Sequence, residues 1–187
     1  GVLDNPHLEK EARRRFDIVE PHLGLLELAD FPPQVTSVRD ILTWVETKEE
    51  DHGRKMDALI VDYADKLFAP QVRDNNEYVA MRYVYESLRR DLADARDMWV
   101  WTASQAGRRG GKDSKRTLDL DNVADSMHKI RVADVVLTLN PEQDDGSLMH
   151  YFVAKNRLGR SRMKIGPVFT DFARARAATF ARELGSW

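Results

Sequence analysis

The chain contains no cysteine. That excludes a disulfide framework and any thiolate metal site, and it fits a cytoplasmic setting. No apolar run approaches the roughly 20 residues that a membrane-spanning helix needs. No leader-type pattern opens the sequence, so no membrane partner is expected. A dominant sign of charge is missing too: 29 Lys and Arg face 31 Asp and Glu, for a net charge of −2. No overall basic field points to nucleic acid, and any such contact has to come from a local cluster. The five histidines are scattered, none paired with another at a metal-ligand spacing. Finally, no glycine-rich stretch ending in Lys-Ser or Lys-Thr occurs, which is the usual backbone cradle for phosphates.

What is present fits a single domain of 187 residues that can bury a real core. Leu8, Ala12, Phe16 and Val19 recur at helical spacing across residues 7–20, and Pro21 ends that helix. Leu23 to Leu28 reads as a short strand. Thr36 or Ser37 caps a helix that places Val38, Ile41, Leu42 and Val45 on one face and stops at Gly53. A strand follows over 58–62, then a loop or short helix over 64–76 and a long amphipathic helix over 77–96. Met98 to Ala103 reads as a second buried strand. Residues 120–130 read as a helix, 133–139 as a third strand, and 148–154 and 163–169 as two more. The span 172–184 reads as a terminal helix. Alternating strands and helices predict a parallel sheet with crossover helices. The closely spaced last strands predict antiparallel pairing at one edge. The four tryptophans (Trp44, Trp99, Trp101 and Trp187) read as packing residues.

Three strand ends carry chemistry. The apolar run Ala58-Leu59-Ile60-Val61 ends abruptly in Asp62-Tyr63. A carboxylate emerging at the carboxyl edge of a buried strand can help hold Mg²⁺ beside phosphates; it can also simply cap the next turn. Ser104-Gln105 ends the next strand at the same edge. A neutral amide there can bond both an attacking water and a γ-phosphate without adding charge. Lys155 and Arg157 follow a later strand at spacing two and so point the same way. Two cations projecting together suit a polyphosphate, with the guanidinium able to stabilise transition-state charge. The alternative is a hairpin tip made basic to discourage edge pairing.

A fourth feature is the stretch 107–116, with Arg108, Arg109, Lys112, Lys115 and Arg116 among three glycines. Five cations in such a setting suit a strand that tracks a phosphate backbone. No aromatic interleaves them, so base stacking is not expected there.

In this order and spacing the elements resemble the RecA-fold ATPase core of hexameric replicative helicases of the DnaB type. The resemblance covers roughly residues 23 to 172 and rests on Asp62-Tyr63, Ser104-Gln105, Ala133-Asp134, the Lys155-x-Arg157-x-Gly159 run and Phe169. It implies an α/β fold: a RecA-like, mostly parallel sheet flanked by helices, with antiparallel strands at the C-terminal edge. Residues 1–187 would form one partial domain ending in a terminal helix over 173–187.

By this resemblance ATP and Mg²⁺ are the cofactors. Asp62 holds the metal through water, with Tyr63 beside it at the nucleotide. Gln105 couples phosphate state to the loop that follows. Lys155 and Arg157 reach the neighbouring subunit's nucleotide. The partners implied are single-stranded DNA, through Arg108, Arg109, Lys112, Lys115 and Arg116, and other subunits of a ring or filament. The activity implied is nucleotide-driven translocation or unwinding of DNA.

Recombinase and circadian-clock ATPases of the same fold share much of the pattern. Departures are equally specific. The catalytic glutamate has no convincing match, since Glu9 and Glu11 lie in a charged helix without a preceding apolar strand. The first strand and the phosphate loop are missing from this sequence. The expectation is a carboxyl-terminal portion of a larger ATPase, unable to hydrolyse ATP alone; the alternative is a degenerate module that binds DNA or a partner without turnover.

Overall fold

The computed structural model describes residues 6–19, 24–72, 76–105, 127–142, 147–171 and 176–178. The chain divides into two compact units, residues 1–32 and 33–187. In the first unit, α1 (Pro6–Val19) forms where the apolar spacing predicts a helix. The strand expected near residues 23–28 does not form over 24–28. Leu25, Leu26 and Leu28 are exposed. An apolar run becomes a strand only where another strand satisfies its backbone groups.

The second unit opens with α2 (Val38–His52). Of the two candidate caps, Ser37 is the one used. Its hydroxyl accepts from the Asp40 amide, and the Asp40 carboxylate accepts from the Ser37 amide at 2.7 Å. This is a reciprocal capping box. The bond from the Ser37 amide first, and then one from the Ser37 hydroxyl at 2.7 Å, hold the Asp40 carboxyl below its ordinary value. Gly53, at φ 59, closes the helix in the left-handed region that a side chain would disfavour.

Strands β1 (Ala58–Val61) and β2 (Trp99–Thr102) pair in parallel, with Ala58 opposite Trp99 and Val61 opposite Thr102. Parallel neighbours need a long crossover. It consists of a 3₁₀ turn at Ala64–Lys66, helix α3 (Glu77–Ser87) and a continuation of α3 as a π-helix over Leu88–Asp94. The π-segment packs against β2 and α2. Among the described residues, Val45, Val84 and Leu92 are the largest fully buried side chains, and Ile41, Leu88 and Met98 are buried as well. Burying a side chain of this class contributes about 1.5–3 kcal/mol.

A short helix, α4 (Met127–Val132), leads into β3 (Val135–Pro141). Then come β4 (Leu148–Asn156), β5 (Met163–Asp171) and β6 (Arg176–Ala178). These four pair in sequence order, all antiparallel, in a sheet separate from β1–β2; the close spacing of 148–154 and 163–169 predicts the β4–β5 pairing. β6 corrects the terminal-helix expectation over its three residues. Ala177 and Ala178 favour a helix intrinsically, but pairing with Phe169 and Thr170 decides the matter. The remainder of that span lies outside the described residues.

One face of the β1–β2 pair also departs from expectation. Parallel register puts Ala58, Ile60, Trp99 and Trp101 on one side. Leu59 on the other side is buried, but Ile60 is 77% exposed, Trp99 71% and Trp101 50%. β1 and β2 are therefore buried on one face only, and Trp99 and Trp101 are not core residues here. Strand alternation turns Ile60, Trp99 and Trp101 away from buried Leu59 and leaves them open.

Candidate active site

The carboxyl edge of β1 and β2 is built by a threonine. Thr102 Oγ1 donates to the Val61 carbonyl and accepts from the Ala64 amide, each at 2.9 Å. Residues 61 and 64 are thus pinned to the neighbouring strand, and Asp62-Tyr63 forms the short excursion between them. The Asp62–Tyr63 peptide bond is cis. Asp62 is exposed, and its carboxylate has no partner among the described residues. Tyr63 is half-buried, with the Lys66 ammonium 5.7 Å from its ring centroid. Beyond the turn, the chain is anchored again where the Phe68 amide donates to the Thr36 carbonyl at 2.7 Å.

Since Val61 and Thr102 are in register in a parallel pair, Asp62 and Gln105 leave the same edge. Gln105 is exposed, and its amide too has no partner among the described residues. Beside it is a charged cluster. Asp65, on the 3₁₀ turn, accepts from Tyr85 Oη at 2.7 Å and from Lys129 Nζ at 2.7 Å on one oxygen. Its other oxygen accepts from Ser104 Oγ at 3.0 Å. Lys129 Nζ also donates to Ser104 Oγ at 2.9 Å and lies 5.4 Å from the Tyr85 ring centroid. The Lys129 and Asp65 side chains are 15% and 18% exposed. Burial first, then the hydrogen bond to Asp65 and its charge, push the Tyr85 hydroxyl well above its ordinary value, so it remains a donor.

Lys155 and Arg157 do point the same way, toward the end of α4. Lys155 Nζ donates to the carbonyls of Ile130, Arg131 and Ala133 at 2.7, 3.1 and 2.7 Å. It caps the helix C-terminus, where orphan carbonyls carry partial negative charge. Burial first, then the adjacent Arg157 cation, hold its ammonium below the ordinary lysine value. Arg157 is 46% exposed and pairs with Asp134. Asp134 also receives Arg89 from the π-helix, at 3.1 Å to both oxygens. Ala133-Asp134, read in the sequence only as part of a pattern, is the junction of these cations.

Helix α4 therefore lies between two groups that the sequence presents as separate. Its Lys129 reaches the edge carrying Asp62 and Gln105, and its C-terminal carbonyls receive Lys155. Sequence reasoning did not single out Thr102, Asp65, Tyr85 or Lys129. Asp65 carried a weak signal as a second acid three residues past Asp62; the others become meaningful only through long-range contact. The cations Arg108, Arg109, Lys112, Lys115 and Arg116 lie outside the described residues.

A lone, exposed, unpartnered carboxylate suits Mg²⁺ held through water, with substrate phosphates as further ligands. Among the described residues no cluster of three or more His, Asp or Glu forms a dedicated cage. The residues present fit a metal that arrives with a nucleotide.

No family model and no curated protein matches the sequence. Solved structures do match. A DnaB-like replicative helicase, described with its interactions with primase, superposes with a TM-score of 0.69 at 17% identity. The match covers 80% of this chain and 37% of that one. A second solved structure, described as an ATPase domain, superposes with a TM-score of 0.69 at 17% identity, over 94% of this chain and 66% of that one. This chain has the RecA-like fold of DnaB-type helicase ATPase domains. The RecA-like chain spans less than two thirds of either neighbour's length. No helix among its described residues is long and apolar enough to cross a membrane.

Proposed function

We propose that this chain is the carboxyl-terminal part of a DnaB-like replicative DNA helicase, a motor that couples nucleotide hydrolysis to translocation or unwinding of DNA. The observation that carries the reading is the in-register parallel pair β1–β2, which delivers Asp62 and Gln105 together, both unpartnered among the described residues, to one carboxyl edge of a RecA-like fold. Ligands in open α/β sheets bind at that edge.

In this reading ATP is the nucleotide, and bound Mg²⁺ neutralises charge on its phosphates. Asp62 orients the metal's water shell, and Tyr63 lines the nucleotide's side of the edge. Gln105 orients the attacking water and registers the γ-phosphate. Arg157 projects to the nucleotide of the adjacent subunit in a ring or filament, with Lys155 fixing its base on α4. Single-stranded DNA follows the cations Arg108, Arg109, Lys112, Lys115 and Arg116. The sequence contains no phosphate loop; in this reading a phosphate-binding segment from elsewhere is required to complete the pocket. The open apolar face of Ile60, Trp99 and Trp101 supports such completion.

The test is nucleotide hydrolysis and strand displacement by the protein expressed from its complete gene. Hydrolysis stimulated by single-stranded DNA, unwinding without strand exchange, and loss of hydrolysis in Asp62→Asn are expected. Strand exchange in place of unwinding indicates a recombinase of the same fold. The missing phosphate loop favours a second reading, a module that binds DNA or a partner without turnover. DNA binding with no hydrolysis under any condition would establish it.

A further inference from the structure

We infer that Lys129 is a positioning residue for Gln105, acting through Ser104 and Asp65; the inference rests on the proposed nucleotide site. The β1–β2 ladder ends at Val61 and Thr102. Residues 103–105 run on past it, so backbone pairing no longer sets where Gln105 points. The nearest side-chain restraint is Ser104. Its hydroxyl donates to Asp65 at 3.0 Å and accepts from Lys129 at 2.9 Å. Both roles of the hydroxyl are used, which fixes its rotamer and the backbone that carries it.

Asp65 is fixed in turn. It sits on the turn pinned by Thr102 and accepts from the Tyr85 hydroxyl as well as from Lys129. The charge-assisted Asp65–Lys129 bond is part-buried at 2.7 Å, and the exposed Ser104 hydroxyl bonds to both of its members at 3.0 and 2.9 Å. Lys129 closes the network across 64 residues of sequence. It ties the end of the Gln105 strand to α4, the same helix whose C-terminus Lys155 caps. Lys129 touches neither the edge carboxylate Asp62 nor the Gln105 amide among the described contacts, so its effect passes through Ser104.

The experiment is a double-mutant cycle on DNA-stimulated hydrolysis, using the protein expressed from its complete gene. Lys129→Met is expected to lower kcat about 10-fold, the scale on which partners that orient a reacting group act. KM should stay within about twofold, because orientation of the water and not nucleotide binding is affected. In a Gln105→Ala background the same change should cost little more. Lys129→Arg, which keeps the charge and the donors, should recover part of the rate. An equal fold-loss in both backgrounds overturns the inference, as does a lowered melting temperature with unchanged kcat. Should Lys129→Met fail to fold, Ser104→Ala removes only the linking hydroxyl and must show the same dependence on Gln105. If Gln105→Ala itself leaves hydrolysis intact, the proposed site falls, and the inference with it; if Gln105→Ala is impaired and Lys129→Met is not, the inference falls alone.

Discussion

The β1–β2 pair and the β3–β6 sheet handle their functional side chains in opposite ways. At the carboxyl edge of β1–β2, Asp62 and Gln105 stand without partners among the described residues, while Thr102 pins the backbone at Val61 and Ala64 and Asp65, Ser104 and Lys129 bond to one another. At the end of β4, Lys155 is committed to three carbonyls of its own chain and Arg157 to Asp134. The first region offers open valences on a rigid frame. The second holds its cations in a frame that Arg157, half-exposed, can leave at modest cost. A surface ion pair contributes roughly 0–1 kcal/mol, so releasing Arg157 toward a phosphate is easy. Releasing Lys155 would strand three helix-end carbonyls.

The contrast can be broken most sharply at Arg157. Arg157→Ala should lower hydrolysis by about 10³-fold or more, the range seen for charge-stabilising arginines. Nucleotide binding, measured by equilibrium titration, should be nearly unchanged. Mixing Arg157→Ala with Asp62→Asn subunits should restore some hydrolysis at mixed interfaces; the absence of rescue would show that the arginine does not act in trans. Next in size is Leu92→Ala, expected to destabilise by about 2–5 kcal/mol in urea unfolding, because Leu92 is fully buried beneath the first region.

Lys155→Met should cost about 1–3 kcal/mol of stability, since the helix-end carbonyls lose their donor. A stability unchanged within error would mean that Lys155 is free for other work, and the contrast would collapse. The smallest effect belongs to the open face. Trp99→Ala should change stability by less than about 0.5 kcal/mol, as exposed positions do. A larger loss in the 187-residue chain would mean that the face is covered.

Much of the fold was legible in the residues because it depends on local chemistry. Thr36 or Ser37 announces a helix start and Gly53 a stop, since a cap acts within one turn of backbone, and the structure selects Ser37. The run ending in Asp62 and the one ending in Ser104-Gln105 read as parallel strands, and register confirms their shared edge. The strand expected near residue 25 and the helix expected over 176–178 failed for one reason. Neither local pattern encodes a partner edge, and strand formation depends on whether one is available. The tryptophans Trp99 and Trp101 failed similarly: an apolar side chain on a strand is buried only if something covers its face.

The sequence by itself determined α2, the crossover helix and strands β1 to β5, which strand ends carry an acid, an amide and two cations, and that no phosphate loop accompanies them. These follow from periodicity and from interactions between residues a few positions apart. The tertiary structure alone decided that Lys129 meets Asp65, that Thr102 frames Asp62, that Lys155 is engaged by α4, and that Ile60, Trp99 and Trp101 face outward. Each of these pairs groups distant in sequence or leaves a face uncovered, and no local pattern encodes which distant surface arrives to satisfy a charge or to exclude water.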